Sequence, residues 1–180
     1  MRSTACLQKA VTIRSYWPTI DVVLSWDRRH YVAVERRFTS MIEVSREVYD
    51  ELVYRAYEGG DREVCGILAG TFDLERSVGR EIHATDNVAD KPQIRYEIDP
   101  EMQLTITEDI EARGLDVMGF YHSHPTGPPH PSATDAARAT WPDFSYVIIA
   151  LDGYPFVGSW RWQADEECFE QERISIGEIE

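Results

Sequence analysis

YHSHPTGPPHPSATD, residues 121–135, joins the end of one apolar run to the start of a polar helix. The residues before it, LDVMGF (115–120), predict a strand that ends in the polar residues of this stretch. Ser132 and Asp135 have the S-x-x-D spacing of a helix N-terminus, and the proline-rich TGPPHP between them and the strand predicts a loop. The stretch therefore predicts a strand–loop–helix unit with two histidines at the end of the strand.

From Met41 onward, strand patterns alternate with helix patterns. One helix is capped by Ser45 and ends at Gly59-Gly60, and another runs from Pro100 to about Arg113. The other predicted strands are MIEV (41–44), EVCGILAG (63–70), REIHATDNV (80–88), IRYEI (94–98), FSYVIIAL (144–151), FVGSWRWQ (156–163) and FEQERISI (169–176). This alternation predicts an α/β or α+β fold, with a mixed β-sheet flanked by helices.

Length and cysteine content set the class of protein. A chain of 180 residues is long enough for one domain with a substantial core. Its three cysteines are odd in number and widely spaced, which argues against a disulfide-stapled secreted scaffold. The longest apolar run, YVIIAL (146–151), is far shorter than the ~20 residues of a membrane span. We expect a cytoplasmic protein.

Acidic side chains dominate the charge. Asp and Glu number 32 against 18 Lys and Arg, a net charge of −14, and only Lys9 and Lys91 are lysines. Such a surface repels nucleic-acid phosphates and anionic lipids, so neither is an expected partner. Acid excess with few lysines is typical of proteins adapted to molar salt, although an ordinary acidic cytosolic protein is an alternative.

The first 40 residues differ in charge from the rest. Residues 1–40 hold seven basic and three acidic side chains, a net of +4, so residues 41–180 carry −18. This shift predicts that residues 1–40 are a basic N-terminal extension outside the folded domain of residues 41–180. We favour an upstream start-site artefact with Met41 as the true start. The alternative is a basic arm with its own partner.

His122 and His124 predict a metal site. They lie two residues apart at a strand end, so strand alternation points both imidazoles to one face. Asp135, in the first turn of the next helix, is the best-placed carboxylate to complete a three-ligand zinc site with an open fourth position. Two alternatives need no metal: the histidines are solvated, or Ser132 and Asp135 only cap the helix. His130 is left out, because the flanking prolines give its side chain no predictable direction.

Hydrolysis at a zinc site also needs a base. Glu63 begins an otherwise apolar strand, where burial could tune its pKa close to the metal. Its position alone does not select it from the 18 glutamates. Cys65 is an alternative nucleophile, but it lies inside an apolar strand and the suitable histidines are already assigned to metal.

These patterns resemble a known family. H-x-H-x7-S-x2-D over residues 122–135 resembles the signature of the JAMM (MPN+) zinc metalloproteases. That signature includes an upstream glutamate before a glycine-patterned strand, and EVCGILAG (63–70) is similar to it. The resemblance covers residues 41 to about 165 and implies a JAMM/MPN-like fold, a cytidine-deaminase-like sandwich.

The resemblance assigns a role to each candidate residue. It implies that His122, His124 and Asp135 bind one Zn²⁺ per chain and that Glu63 is the general base. Ser132 matches the hydroxyl that donates a hydrogen bond to the oxyanion. All five positions carry the residue types of active members, so the resemblance implies a zinc metalloprotease or isopeptidase.

The resemblance also implies a substrate class. Its members cut peptide or isopeptide bonds at the C-terminal glycines of ubiquitin-like proteins. With the acidic, lysine-poor composition, we expect a desampylase that acts on archaeal small modifier proteins and their conjugates. One alternative is a peptidase that processes the C-terminus of a sulfur-carrier protein. Another is a non-catalytic MPN scaffold.

Overall fold

The structure of the protein is a computed structural model that describes residues 40–179 and, before them, the backbone of three strands. These strands are β1 (Val11–Thr12), β2 (Val22–Asp27) and β3 (His30–Glu35), which form an antiparallel sheet in that order. The chain divides into two compact units, Met1–Phe38 and Thr39–Glu180. Of residues 1–40, most lie outside the described residues, and the three strands test neither the start-site nor the basic-arm hypothesis. Both hypotheses stay predictions.

Seven strands of the second unit form a closed barrel, in the order β10-β4-β6-β5-β7-β8-β9. They are β4 (Met41–Ser45), β5 (Cys65–Thr71), β6 (Arg76–Thr85), β7 (Asp116–His124), β8 (Ser145–Ala150), β9 (Phe156–Gln163) and β10 (Cys168–Gly177). The pairs β10–β4, β4–β6 and β7–β8 are parallel and the other four are antiparallel. The mixed sheet is confirmed, but it curves into a barrel because β10 pairs with both β9 and β4.

The residues that the structure describes contain three helices, and local signals fix where each begins. In α1 (Arg46–Glu58), the Ser45 hydroxyl accepts a hydrogen bond from the N–H of Val48. In α2 (Pro100–Ala112), Asp99 is the N-cap and Pro100 supplies the first helical residue. The third helix, α3 (Ala133–Arg138), begins after Ser132. The predicted helix starts are confirmed.

Helix α1 packs one face against the hydrophobic core. Its buried face consists of Val48, Leu52 and Ala56, spaced by four residues, and this face packs against strand residues such as Ile42 and Met118. Burying a side chain the size of valine or leucine contributes roughly 1.5–3 kcal/mol. A second cluster lies around Ile110 of α2. The core thus fixes the β5 and β7 strands, on which the candidate site is built.

The predicted strand at residues 94–98 is wrong. This segment pairs only through an isolated bridge between Asn87 and Ile98. The carbonyl of Glu97 accepts from the N–H of Val88, but the N–H of Glu97 donates to the side-chain Oδ1 of Asn87 and not to a second strand. Strand β6 also differs from the predicted residues 80–88, since it begins at Arg76 and ends at Thr85.

Among the residues that the structure describes, every helix is too short or too polar to cross a membrane.

Candidate metal centre

Strand β7 brings the two histidines together. His122 and His124 are 1% and 4% exposed, and their Nε2 atoms lie 3.0 Å apart. Parallel pairing with β8 matches His122 to Ile148 and His124 to Ala150, which holds the strand end straight. The predicted convergence of both imidazoles on one face is therefore present in the structure.

Asp135 adds a carboxylate from α3. Its Oδ1 lies 3.4 Å from the Nε2 of His122, and its Oδ2 lies 3.6 Å from the Nε2 of His124. One nitrogen or oxygen from each residue lies within 4.8 Å of the others. A tetrahedral ion with ligands at about 2.0 Å has ligand–ligand edges of about 3.3 Å. The three side chains thus have the spacing of one face of such a site.

The protonation states of His122 and Asp135 suit metal binding. Burial lowers the pKa of His122, so this imidazole is neutral near pH 7. Burial alone would raise the pKa of Asp135, but the two histidines outweigh it and hold that pKa well below its ordinary value. Burial would lower the pKa of His124, and hydrogen bonding to Asp135 reverses the shift. In the metal-free protein the cluster therefore offers an ionised carboxylate beside the neutral imidazole of His122, and His124 would give up its proton on binding a metal.

The two histidines are oriented by different contacts. The Nδ1 of His124 lies 2.8 Å from the carbonyl oxygen of Pro128, which accepts its proton and leaves Nε2 as the ligand atom. The Nδ1 of His122 is buried and has no hydrogen-bond partner. Instead, the ring of Tyr96 stacks on His122, with centroids 4.4 Å apart and planes 22° apart.

Ser132 and Asp135 form a capping box at the start of α3. The N–H of Ser132 donates to Oδ2 of Asp135 over 2.6 Å, and the N–H of Asp135 donates to Oγ of Ser132 over 3.2 Å. The capping alternative is thus realised, but it does not compete with a ligand role, since the same carboxylate faces both histidines. The oxygen of the Ser132 hydroxyl is the acceptor in the box.

Glu63 lies beside the cluster. Cys65 of β5 is opposite His122, and the N–H of Ser123 donates to the carbonyl of Val64 over 3.0 Å. This register continues to Glu63 opposite His124. Glu63 is 6% exposed, and its Oε2 is buried without a hydrogen-bond partner. Burial raises its pKa to about 7, with His124 opposing the rise.

The other candidates lie outside this cluster. His130 is exposed, which agrees with its omission. Cys65 is 1% exposed, and burial raises the pKa of its thiol to about 11, so it is a poor nucleophile. Sequence reasoning missed Tyr96, which had been placed in a strand, and Asn87, which organises the loop around it. One signal was available: Asn87 is the single asparagine in the chain.

Residues 45–163 match the family model described as prokaryotic homologues of the JAB domain. The match spans well over half of the chain. The protein belongs to the prokaryotic JAB-domain family. The resemblance to JAMM (MPN+) proteins is thereby confirmed.

This JAB-domain protein is 42% identical over 132 residues to a desampylase of Haloferax volcanii, covering 71% of this chain and 92% of the relative. It is 29% identical over 107 residues to a CysO-cysteine peptidase of Mycobacterium bovis, covering 59% of this chain and 71% of the relative. The solution structure of a protein from Desulfitobacterium hafniense is 29% identical, with a TM-score of 0.69, covering 77% of this chain and 94% of that one.

Proposed function

We propose that this protein is a zinc-dependent isopeptidase that hydrolyses amide bonds at the C-terminal Gly-Gly of ubiquitin-like small modifier proteins. The observation that carries the proposal is the His122–His124–Asp135 cluster with the buried carboxyl group of Glu63 beside it. The similarity to the Haloferax desampylase supports this substrate class.

Zinc is the proposed ion because of the donor set. Two imidazoles and one carboxylate, held at tetrahedral spacing, are the donors of catalytic zinc sites that keep a fourth position open. When bound, zinc would lower the pKa of water in that position and polarise the scissile carbonyl. His122, His124 and Asp135 would hold it.

Glu63 is the proposed general base. Among the described residues, none hydrogen-bonds its buried Oε2, so this oxygen is available for a proton from the attacking water. In the metal-free protein burial raises its pKa to about 7, and a carboxylate in this place can take the proton and then give it to the leaving amine. The water adds to the carbonyl carbon, the C–N bond breaks, and the products are a carboxylate and an amine.

Ser132 is the proposed oxyanion donor. Its backbone and hydroxyl oxygen are fixed by the capping box, so the direction of the remaining O–H is restricted. A donor that is already oriented stabilises the negative charge on the carbonyl oxygen without reorganisation at the moment of reaction.

The deciding experiment uses a modifier–protein conjugate as substrate, in molar salt. Glu63→Gln and Asp135→Asn should abolish cleavage while the circular dichroism spectrum stays that of the wild type. A chelator should abolish cleavage reversibly, with zinc restoring it. Retained cleavage in these variants, together with inhibition by cysteine alkylation, would overturn the metal mechanism.

A second candidate is a peptidase that processes a sulfur-carrier protein. The similarity to a CysO-cysteine peptidase favours this candidate, and the same five side chains would serve it. Mass analysis of products distinguishes the two: cleavage of a conjugate at Gly-Gly supports the isopeptidase, whereas release of a single amino acid from a free carrier supports the peptidase. A protein that binds modifiers but cuts neither would be a scaffold.

A further inference from the structure

Among the described residues, none hydrogen-bonds the Nδ1 of His122, the atom through which a metal-binding histidine is usually supported. Such a histidine normally donates its second ring N–H to a carboxylate, carbonyl or water, which fixes the ring. His124 follows this rule through the carbonyl of Pro128, but the Nδ1 of His122 is buried and unpaired. On the flat face of the His122 ring, the ring of Tyr96 stacks with centroids 4.4 Å apart, which restricts the plane of the imidazole.

The side chain of Asn87 and one backbone bond hold the segment that carries Tyr96. In the backbone bond, the N–H of Val88 donates to the carbonyl of Glu97 over 2.9 Å. The amide of Asn87 donates to the carbonyl of Arg95 over 3.1 Å, and its Oδ1 accepts from the N–H of Glu97 over 3.1 Å. These two bonds hold the backbone at the residues immediately before and after Tyr96. Because the segment forms no ladder with a neighbouring strand, the side-chain hydrogen bonds of Asn87 hold its backbone in place.

Asn87 also holds the backbone of Glu63. Its amide donates to the carbonyl of Glu63 over 2.8 Å, while the N–H of Glu63 donates to the carbonyl of Pro92 over 2.6 Å. With the N–H of Ala89 also donating to Oδ1 over 3.1 Å, both donors and both acceptor positions of the Asn87 amide are used. No other side chain type of this size offers two donors and two acceptors.

We propose that Asn87 and Tyr96 are positioning residues of the site, and this inference rests on the proposed function. Tyr96 fixes the ring plane of His122, so it acts on metal affinity. Asn87 sets the position of Tyr96 and of Glu63 together, so it acts on metal affinity and on the proton-transfer step.

The experiment measures zinc affinity of the full chain by titration against a chromophoric chelator, and kcat and KM on a conjugate at saturating zinc. Tyr96→Phe should bind zinc like the wild type, since it keeps the stacked ring. Tyr96→Leu keeps an apolar side chain without the flat ring and should bind zinc about 10–100-fold more weakly, with kcat at saturating zinc near that of the wild type. Asn87→Ala should show the same weakening, and its kcat should also fall while KM changes little.

Two control variants separate positioning from stability. Tyr54→Ala removes an exposed tyrosine of α1 and should change nothing. Val48→Ala shortens a buried side chain of α1, so it should lower the melting temperature and leave zinc affinity unchanged. Asn87→Asp, which keeps the acceptor and loses both donors, takes the place of Asn87→Ala if the latter fails to fold.

Wild-type zinc affinity in both Tyr96→Leu and the Asn87 variant would overturn the inference. So would an equal loss of affinity in Val48→Ala, since affinity would then follow stability. His122→Ala keeps the two proposals distinguishable: if it alone loses zinc, the metal centre stands and only the positioning roles fail. If the wild type binds no zinc, the proposed function itself fails.

Discussion

Ser132 and Asp135 hold each other in place at the start of α3, through hydrogen bonds of 2.6 Å and 3.2 Å that run in opposite directions. The pair satisfies two backbone N–H groups that the short helix leaves free. It also fixes the carboxylate that faces His122 and His124. One local motif therefore serves both the fold and the proposed chemistry.

Substitutions at Ser132 separate these two roles. Ser132→Ala should lose about 1 kcal/mol of unfolding free energy, because it removes the N-cap. Ser132→Asn should keep most of that stability, since asparagine is a good N-cap residue. Both variants should cleave the conjugate about 10²–10³-fold more slowly, because they lose the hydroxyl that stabilises the oxyanion. Ser132→Thr should retain both properties. Denaturant unfolding and kcat check these outcomes, and full activity in Ser132→Asn would refute the oxyanion role.

Zinc should stabilise the folded protein. A zinc concentration of 100 times the Kd raises the free energy of unfolding by about 2.7 kcal/mol, because zinc binds the folded state and not the unfolded one. Asp135→Asn should lose most of this gain. Asp152→Asn, which changes an exposed aspartate far along the chain, should keep it. Thermal melts with zinc and with chelator measure the difference, and equal zinc-induced shifts in the two variants would rule out Asp135 as a ligand.

The metal-free protein should become less stable as the pH rises, through Glu63. Burial raises the pKa of this carboxyl from 4.5 to about 7, so folding favours its neutral form. The neutral carboxyl contributes at most about 3 kcal/mol to the free energy of unfolding relative to the ionised one. This contribution is complete below pH 4.5 and is lost as the pH rises toward 7.

Glu63→Gln stays neutral, so it provides the comparison. In chelator, the melting temperature of the wild type minus that of Glu63→Gln should fall between pH 4.5 and pH 8. Parallel curves for the two proteins would show that the carboxyl is not buried as described.

Gly119 should not tolerate a side chain. A Cβ at this position would lie 1.9 Å from the carbonyl oxygen of Ser145, which belongs to the neighbouring strand β8. Gly119→Ala must therefore push β7 and β8 apart, and we expect a loss of more than about 2 kcal/mol. Gly177→Ala is the matched control, since its nearest contact would be 3.8 Å away. Chemical denaturation compares the two, and similar stabilities would contradict the close strand approach.

Local signals predicted most elements because each depends on residues close in the chain. Ser45 and Pro100 set helix starts through contacts within one turn, and FVGSWRWQ matches strand β9 at both ends. Barrel closure was not predictable in this way. It depends on β10 pairing with β4, which joins residues such as Arg173 and Met41 from opposite ends of the domain.

The candidate site shows the same difference between residues that are close in the chain and residues that depend on long-range pairing. His122, His124, Ser132 and Asp135 lie within 14 residues, so strand alternation and helix capping were enough to bring them together. Glu63 was selected by resemblance to a family, because its approach to His124 depends on the register between β5 and β7. Tyr96 was missed, since its segment is shaped by a side-chain amide and not by a repeating pattern.

Every strand of the barrel has a neighbour on each side. Exposed strand edges are where copies of a protein join into aggregates, and acidic proteins usually avoid this by mutual repulsion. In concentrated brine that repulsion vanishes, because at 1 M salt it extends only about 3 Å. Strand β10 joins the two ends of the sheet, since it pairs with β9 through residues 168–172 and with β4 through residues 173–177. Such pairing works at any ionic strength, so in the second unit it would leave little strand edge for neighbouring molecules to anneal to where a charge of −14 no longer repels them.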